Sequence, residues 1–78
     1  MEIKILGTGC PKCKELEKIT RDVVIQYGFQ AEISKVEEIM EIMTFNVISL
    51  PALVVNGNVV IKGRIPSAEE IKKVLEKY

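Results

Sequence analysis

The spacing of hydrophobic residues changes along this chain, and that change limits the folds open to it. Residues 2–7 alternate between apolar and polar positions, which is the period of a half-buried strand. Residues 11–27 place apolar side chains every three or four positions, which is the period of a helix with one buried face. Gly28 follows in the usual place for a helix C-cap. The predicted buried stripe comprises Cys13, Leu16, Ile19, Thr20, Val23, Val24 and Tyr27.

The middle of the chain predicts a second strand and a second helix. Residues 29–33 are strand-like, with alternate apolar side chains on one face. Ser34 followed by Glu37 is a capping-box pattern, which predicts that a short helix begins there. Its predicted buried stripe consists of Val36, Ile39, Met40 and Met43.

The last third predicts a hairpin and a closing helix. Residues 51–55 and 59–62 are strand-like, and Asn56-Gly57-Asn58 between them favours a tight turn because Asn and Gly tolerate positive φ. Ser67 with Glu70 is a second capping box. The helix that follows is predicted to bury Ala68, Ile71, Val74 and Leu75.

The resulting element order is β-α-β-α-β-β-α. Strands joined through helices pair in parallel through right-handed crossovers, and the final hairpin adds an antiparallel pair. We therefore expect an α/β fold, a four-stranded mixed sheet with three flanking helices. At 78 residues the chain is long enough for one small domain, residues 1–78.

Composition excludes several functional classes. Eleven basic and eleven acidic residues cancel, so no field of one sign draws the chain to nucleic acid or anionic lipid. No apolar run approaches the roughly 18 residues that span a bilayer. No basic and apolar leader follows Met1, so we expect a cytoplasmic protein, where structural disulfides are uncommon. The chain has no histidine, which removes histidine-based catalysis and the common zinc ligand sets.

Both cysteines lie in one motif, Cys10-Pro11-Lys12-Cys13, where the first strand gives way to the first helix. The free N–H groups and positive dipole of a helix N-terminus favour a thiolate on Cys10, and Lys12 acts in the same direction. Cys13 follows Cys10 by three positions within the first helical turn, which brings the two sulfurs close enough for a reversible disulfide. Cys13 belongs to the apolar stripe and should be the more buried sulfur. Pro11 is tolerated because a first-turn N–H has no intrahelical partner.

Other interpretations of these residues remain open at this point. A Cys-x-x-Cys pair can be half of a zinc site, although this chain has no other Cys or His, so carboxylates or a second subunit would have to complete it. Two inert core cysteines would suit Cys13 better than Cys10. The Gly7-Thr8-Gly9 segment lacks the further glycine or Gly-Lys-Ser/Thr ending of phosphate-binding loops. Pro51 opens a predicted strand and is compatible with either a cis or a trans bond.

The combination of these features resembles the thioredoxin superfamily, and more narrowly its small redox-active disulfide proteins of archaea and bacteria. The resemblance covers essentially the whole chain. The matching segments are Gly7-Thr8-Gly9-Cys10-Pro11-Lys12-Cys13, Val47-Ile48-Ser49-Leu50-Pro51-Ala52-Leu53, Asn56-Gly57 and Gly63.

The resemblance implies a role for each residue of the motif. It makes Cys10 the attacking thiol and Cys13 the resolving one. It also makes Pro51 a cis residue that frames the substrate site, with the backbone of Leu50 pairing with an extended substrate peptide. Pro11 and Lys12 complete the expected substrate-binding set.

The chain departs in three respects from the proteins that it resembles. It has no tryptophan, whereas typical thioredoxins carry Trp-Cys-Gly-Pro-Cys. Lys4 stands where they keep a buried acid, so the proton acceptor for the resolving thiol is unassigned. Lys62-Gly63-Arg64 does not reproduce the Gly-Gly-x-Asp segment with which glutaredoxins bind glutathione.

We therefore predict a thioredoxin- or glutaredoxin-like protein disulfide oxidoreductase that serves electron transport and cell redox homeostasis. It should need no cofactor and no metal, because the dithiol is the redox group. The expected partners are protein disulfide substrates and an unidentified reductase, and the protein should be a monomer. One alternative is a glutathione-dependent glutaredoxin-type enzyme. The other is a dimeric metal or iron–sulfur carrier that uses the Cys pair.

Overall fold

A computed structural model, which describes residues 1–78, contains seven elements in the predicted order. They are β1 (Glu2–Leu6), α1 (Pro11–Tyr27), β2 (Glu32–Val36), α2 (Ile39–Met43), β3 (Ala52–Val55), β4 (Asn58–Lys62) and α3 (Ala68–Leu75). The predicted β-α-β-α-β-β-α order is confirmed. None of the three helices combines the length and the apolar character needed to span a membrane.

The four strands form one mixed sheet in the order β2-β1-β3-β4. β1 pairs in parallel with β2 and antiparallel with β3, and β3 pairs antiparallel with β4. Leu6 at the end of β1 lies opposite both Val36 and Ala52. The ends of β1 and β2 and the start of β3 therefore share one edge of the sheet, which is where the loops carrying Cys10 and Pro51 begin.

Each face of the sheet has its own hydrophobic core, because successive side chains of a strand point to opposite faces. Ile3 and Ile5 of β1 face α1 and α3, whereas Leu6 faces the side that carries α2. The larger core comprises Ile3, Ile5, Leu16, Val23, Leu53, Val55, Ile61, Ile71 and Leu75. The smaller comprises Leu6, Val36, Ile42, Val47, Ala52 and Val54. Burying one such aliphatic side chain fully contributes about 1.5–3 kcal/mol.

The first helix has the limits and the buried face that its sequence predicts. Pro11 occupies the first turn, and Gly28 ends the helix in the left-handed conformation with φ of 68°. The Gly28 N–H donates to the Ile25 carbonyl. Of the predicted stripe, Cys13, Leu16, Thr20 and Val23 are buried, Ile19 and Val24 are half-buried, and Tyr27 is exposed.

The predicted boundary between the second strand and the second helix is wrong. Strand β2 spans Glu32–Val36 rather than residues 29–33, so Ser34 lies inside a strand and does not cap a helix. Ser34 pairs with Lys4 in the parallel ladder, and this pairing outweighs the local capping signal. The helix begins later, where the Glu38 side chain accepts a hydrogen bond from the Met40 N–H.

The predicted buried stripe of α2 is also wrong in most of its members. Only Val36, which belongs to β2, is buried, while Ile39, Met40 and Met43 are exposed. Ile42 is instead the residue of α2 that enters the core. A helix of five residues turns only one narrow face towards the sheet, so a single large side chain is enough to fill the contact.

The closing hairpin and helix follow their local signals. Asn56 and Gly57 both adopt positive φ, of 50° and 85°, and Asn58 already belongs to β4. Ser67 caps α3, its hydroxyl accepting from the Glu70 N–H at 3.2 Å.

The capping box of α3 is only half formed. The Glu70 carboxylate bonds to the Arg64 guanidinium instead of returning to the backbone of Ser67. Ile71 and Leu75 are buried as predicted and Val74 is half-buried, but Ala68 is exposed.

We expect Thr20→Val to stabilise the protein. The Thr20 hydroxyl is buried and has no hydrogen-bond partner, and an apolar group of similar shape removes that desolvation penalty. The free energy of unfolding in urea should rise by about 1 kcal/mol. Thr44→Val is the control. The Thr44 hydroxyl donates a hydrogen bond to the Glu41 carbonyl at 2.6 Å, so its removal should not stabilise the protein. A less stable Thr20→Val protein would contradict the expectation.

The pair between Arg64 and Glu70 should make a small contribution to stability that acid removes. The hydrogen bond from Arg64 lowers the pKa of Glu70, so the contribution is complete above the pKa of the unfolded chain and is lost as pH falls through the folded-state value. Glu70→Gln should therefore be less stable than the wild type at neutral pH, and the difference should vanish in acid. Urea titrations over a pH series measure this, with Glu15→Gln, an exposed carboxylate without an ion pair, as the control.

Candidate active site

The two cysteines lie at the start of α1, directly after the loop that leaves β1. Cys10 is the N-cap residue, with an extended backbone at φ −68° and ψ 162°, and Cys13 lies in the first helical turn. A disulfide joins them, and their Cα atoms are 5.1 Å apart. The sequence prediction that one helical turn brings the sulfurs together is confirmed.

The helix start supplies the electrostatics that a sulfur anion needs. The Cys10 Sγ accepts a hydrogen bond from the Cys13 N–H at 3.2 Å, so the sulfur occupies the position of a capping oxygen. The first turn of α1 contains no acidic residue that would offset the helix dipole. Lys12 and Lys14 are both exposed nearby and add positive charge. Because an N-cap position favours negative charge, this geometry is the one that the predicted Cys10 thiolate requires.

The two sulfurs differ in access to solvent. Cys13 is 6% exposed and packs under the loop, whereas Cys10 is half-buried at the surface of the turn. Gly7 lies against Cys13, so closely that a Cβ on Gly7 would stand 2.9 Å from the Cys13 Cβ and overlap its sulfur. The missing side chain at Gly7 is therefore what allows Cys13 to sit beneath the loop.

Pro51 lies at the same edge of the sheet as the cysteines. Gly7 and Pro51 each stand one residue beyond the Leu6–Ala52 pair, so the two segments leave the sheet side by side. The Leu50–Pro51 bond is cis, as the sequence resemblance implies, and Pro51 is buried. The Gly63 N–H donates to the Pro51 carbonyl at 2.9 Å, which holds this segment against the end of β4.

The residues before Pro51 present unused backbone and apolar surface. Neither the N–H nor the carbonyl of Leu50 bonds to another backbone group in the chain. The Leu50 side chain is half-buried, and Ile48 is 98% exposed. Pro11 and Lys12, which lie between the two cysteines in sequence, are exposed. The predicted substrate-binding residues thus lie at the start of α1 and at the end of the sheet where β1 leads to the cysteines.

A charged cavity that the sequence did not predict lies beside Cys13. Glu17 of α1 and Glu37, whose pattern with Ser34 predicts a helix cap, both line this cavity of about 40 Å³ with Gly7 and Cys13. The only sequence signal is indirect, because Glu37 follows the strand that pairs with the one leading to the cysteines. No group of three or more His, Cys, Asp or Glu side chains is arranged to hold a metal ion.

The comparisons with known proteins agree with this arrangement. The family described as "Thioredoxin domain" matches residues 1–76. A protein named thioredoxin from Methanothermobacter thermautotrophicus is 45% identical over 75 residues, which cover 96% of this chain and 97% of that protein. A thioredoxin from Methanocaldococcus jannaschii is 41% identical over 76 residues, covering 97% and 87%.

A solved structure titled "Structure of a malarial protein" superimposes with a TM-score of 0.71 at 19% identity, over 97% of this chain and 93% of that one. At that identity it supports the fold alone, and it confirms the thioredoxin-like architecture. The fold and the paired cysteines define a thiol–disulfide oxidoreductase. The chain belongs to the thioredoxin family.

We expect Gly7→Ala to destabilise the protein through the site rather than through the backbone. The new methyl group meets Cys13, and overpacking of this kind costs about 1–3 kcal/mol. Urea denaturation of the reduced proteins measures the change.

The control is the same substitution in a Cys13→Ala background, where the sulfur that overlaps the new methyl group is gone. The loss of stability should be smaller there. Equal losses in the two backgrounds would show that Gly7 acts independently of Cys13.

Proposed function

We propose that Cys10 is the attacking thiol and Cys13 the resolving thiol in the reduction of protein disulfides. The observation that carries this assignment is the asymmetry of the two sulfurs. Cys10 caps the helix at the surface, where its thiolate is stabilised and accessible, and Cys13 is buried behind it.

The reaction proceeds in two exchanges. The Cys10 thiolate attacks one sulfur of a substrate disulfide, forms a mixed disulfide and releases the other substrate sulfur as a thiolate. Cys13 loses its proton and attacks the Cys10 sulfur, which forms the Cys10–Cys13 bond and releases the second substrate thiolate. Two electrons have then passed from the protein dithiol to the substrate.

The substrate chain docks along the segment before Pro51. The free N–H and carbonyl of Leu50 can pair with an extended peptide in the manner of an added strand. Pro51 shapes the floor of this position, and Pro11 and Lys12 contact the substrate from the helix side. Lys12 and Lys14 are exposed at the start of α1, so the surroundings of the disulfide carry positive charge.

Several properties belong to the same proposal. The dithiol is the redox group, and turnover requires no metal or organic cofactor. An unidentified reductase returns electrons to the Cys10–Cys13 disulfide. The protein works as a single domain and a monomer in the cytoplasm.

Reduction of insulin disulfides by metal-free protein, with dithiothreitol as the electron source, tests the function. The wild type should accelerate precipitation of the insulin B chain, and Cys10→Ser should not. A metal carrier would be favoured instead by two results together. The metal-free wild type would precipitate insulin no faster than dithiothreitol alone, and the protein would bind a stoichiometric metal and fold only when that metal is added.

The two cysteine variants should differ in the covalent complexes they form. Cys13→Ser lacks the internal nucleophile, so its mixed disulfides with substrate proteins should accumulate. Cys10→Ser should form few, because its remaining thiol is buried. Non-reducing electrophoresis after incubation with oxidised protein substrates measures both. Equal accumulation in the two variants would contradict the ordered roles.

The order of alkylation provides a separate check on the same roles. In the reduced wild type, iodoacetamide should modify Cys10 before Cys13 at neutral pH, as peptide mass spectrometry would show. Prior modification of Cys13 would reverse the assignment.

A further inference from the structure

The buried thiol of Cys13 must lose a proton before it can attack the mixed disulfide. The thiolate is the nucleophile in disulfide exchange, and burial without a partner disfavours it. With 6% of its surface exposed, Cys13 has little direct contact with bulk water. A group close to the sulfur is therefore needed to take up the proton.

The charged cavity beside Cys13 offers a route for that proton. Its volume of about 40 Å³ is enough to hold a water molecule. The walls come from Ile5 of β1, from Gly7 and Gly9 of the loop that follows it, from α1 and from the end of β2. Its charged and titratable side chains are Lys14 and Glu17 from α1, and Lys35 and Glu37 from β2 and the residue after it.

The two carboxylates of the cavity differ in their partners. Glu17 forms ion pairs with Arg21 at 2.9 Å and with Lys35 at 3.7 Å, so its charge is compensated on two sides. Glu37 forms no ion pair and no hydrogen bond within the chain, and it is exposed to solvent on its outer side. Glu37 is thus the carboxylate whose oxygens remain free to accept a proton and to exchange it with water.

The backbone holds Glu37 beside the redox loop. The Gly7 N–H donates to the carbonyl of Val36 at 3.0 Å, which extends the parallel ladder to the residue before Glu37. Gly7 also lies against Cys13 on its other side. The Glu37 Oε2 is 3.5 Å from the position that a Cβ on Gly9 would take, so the carboxylate lies against the loop itself.

We propose that Glu37 is the proton acceptor for Cys13 in the resolving step, an inference that rests on the proposed roles of the two cysteines. The Cys13 S–H gives its proton to the Glu37 carboxylate, directly or through one water in the cavity. The Cys13 thiolate then attacks the Cys10 sulfur, and the bond between Cys10 and the substrate sulfur breaks. The substrate leaves as a thiolate, and the protonated Glu37 returns its proton to solvent.

A single-turnover reaction with dithiobis(nitrobenzoate) separates the two exchanges. Each exchange releases one coloured nitrothiobenzoate: the first by attack of Cys10, at a rate proportional to reagent concentration, and the second by attack of Cys13, at a rate independent of it. Glu37→Gln should slow the second release about 10-fold at neutral pH, below the usual contribution of general bases because solvent can replace an exposed carboxylate. The first release should be nearly unchanged.

The pH profile distinguishes a proton acceptor from a structural role. In Glu37→Gln the rate of the second nitrothiobenzoate release should rise in direct proportion to the hydroxide concentration. In the wild type this rate should be higher and should depend less steeply on pH. In Glu37→Ala, which opens space beside the loop, added formate should accelerate the second release. Formate should not accelerate the wild type.

Glu17→Gln is the matched control, because Glu17 lines the same cavity but is already paired. Its second rate should remain within about 2-fold of the wild type, because it makes no proton transfer in this scheme. Three results would overturn the proposal: an unchanged second phase in Glu37→Gln, a slow second phase in Glu17→Gln alone, or equal slowing in both without rescue by formate.

The same reaction also tests the underlying roles. Cys10→Ser should lose the first release, and Cys13→Ser should keep the first and lose the second. If Cys10→Ser retains a fast first release, the order of the cysteines is wrong and the inference about Glu37 fails with it. If both cysteine variants behave as expected and Glu37→Gln does not, only the inference about Glu37 fails.

Discussion

The close approach of Cys13 to Gly7 is the contact on which the site depends. Three elements meet at this point: the end of β1, the end of its parallel neighbour β2 and the first turn of α1. Gly7 makes this meeting possible in two ways. Its N–H continues the ladder to Val36, and its lack of a side chain leaves room for a sulfur. A larger residue would overlap Cys13 and push the helix start away from the sheet.

Elements whose local signals agree with their packing could be predicted from the sequence. Gly28, the Asn56-Gly57 turn and Ser67 each stand at a boundary where the backbone needs that residue, and each boundary lies where expected. The predicted limits of the second strand are wrong because Ser34 carries a local helix signal. The place of Ser34 in the sheet depends instead on its pairing with Lys4, which is far away in sequence. A local pattern cannot report such a pairing, since the register of a parallel strand is set by tertiary contacts.

The same distinction separates the predictable part of the site from the rest. Cys10 and Cys13 lie within one helical turn, so their proximity follows from helix geometry and could be inferred from spacing alone. Glu37 reaches the site from another strand, and its position depends on which residue of β2 lies opposite Leu6. Lys4, for which the resemblance to typical thioredoxins implies a buried acid, points to the other face of the sheet near Phe45. The Glu37 carboxylate beside Cys13 therefore comes from a part of the chain that lies outside the cysteine motif.

The disulfide encloses a very short loop, since only Pro11 and Lys12 lie between its cysteines along the chain. A bridge across so few residues removes little freedom from the unfolded chain, about 2 kcal/mol in the chain-entropy picture. The two cores on either side of the sheet hold the fold, and most of their members lie in elements away from the bridge. The protein can therefore open and close its disulfide many times as a folded object. Its redox state can change without exposing the core to solvent.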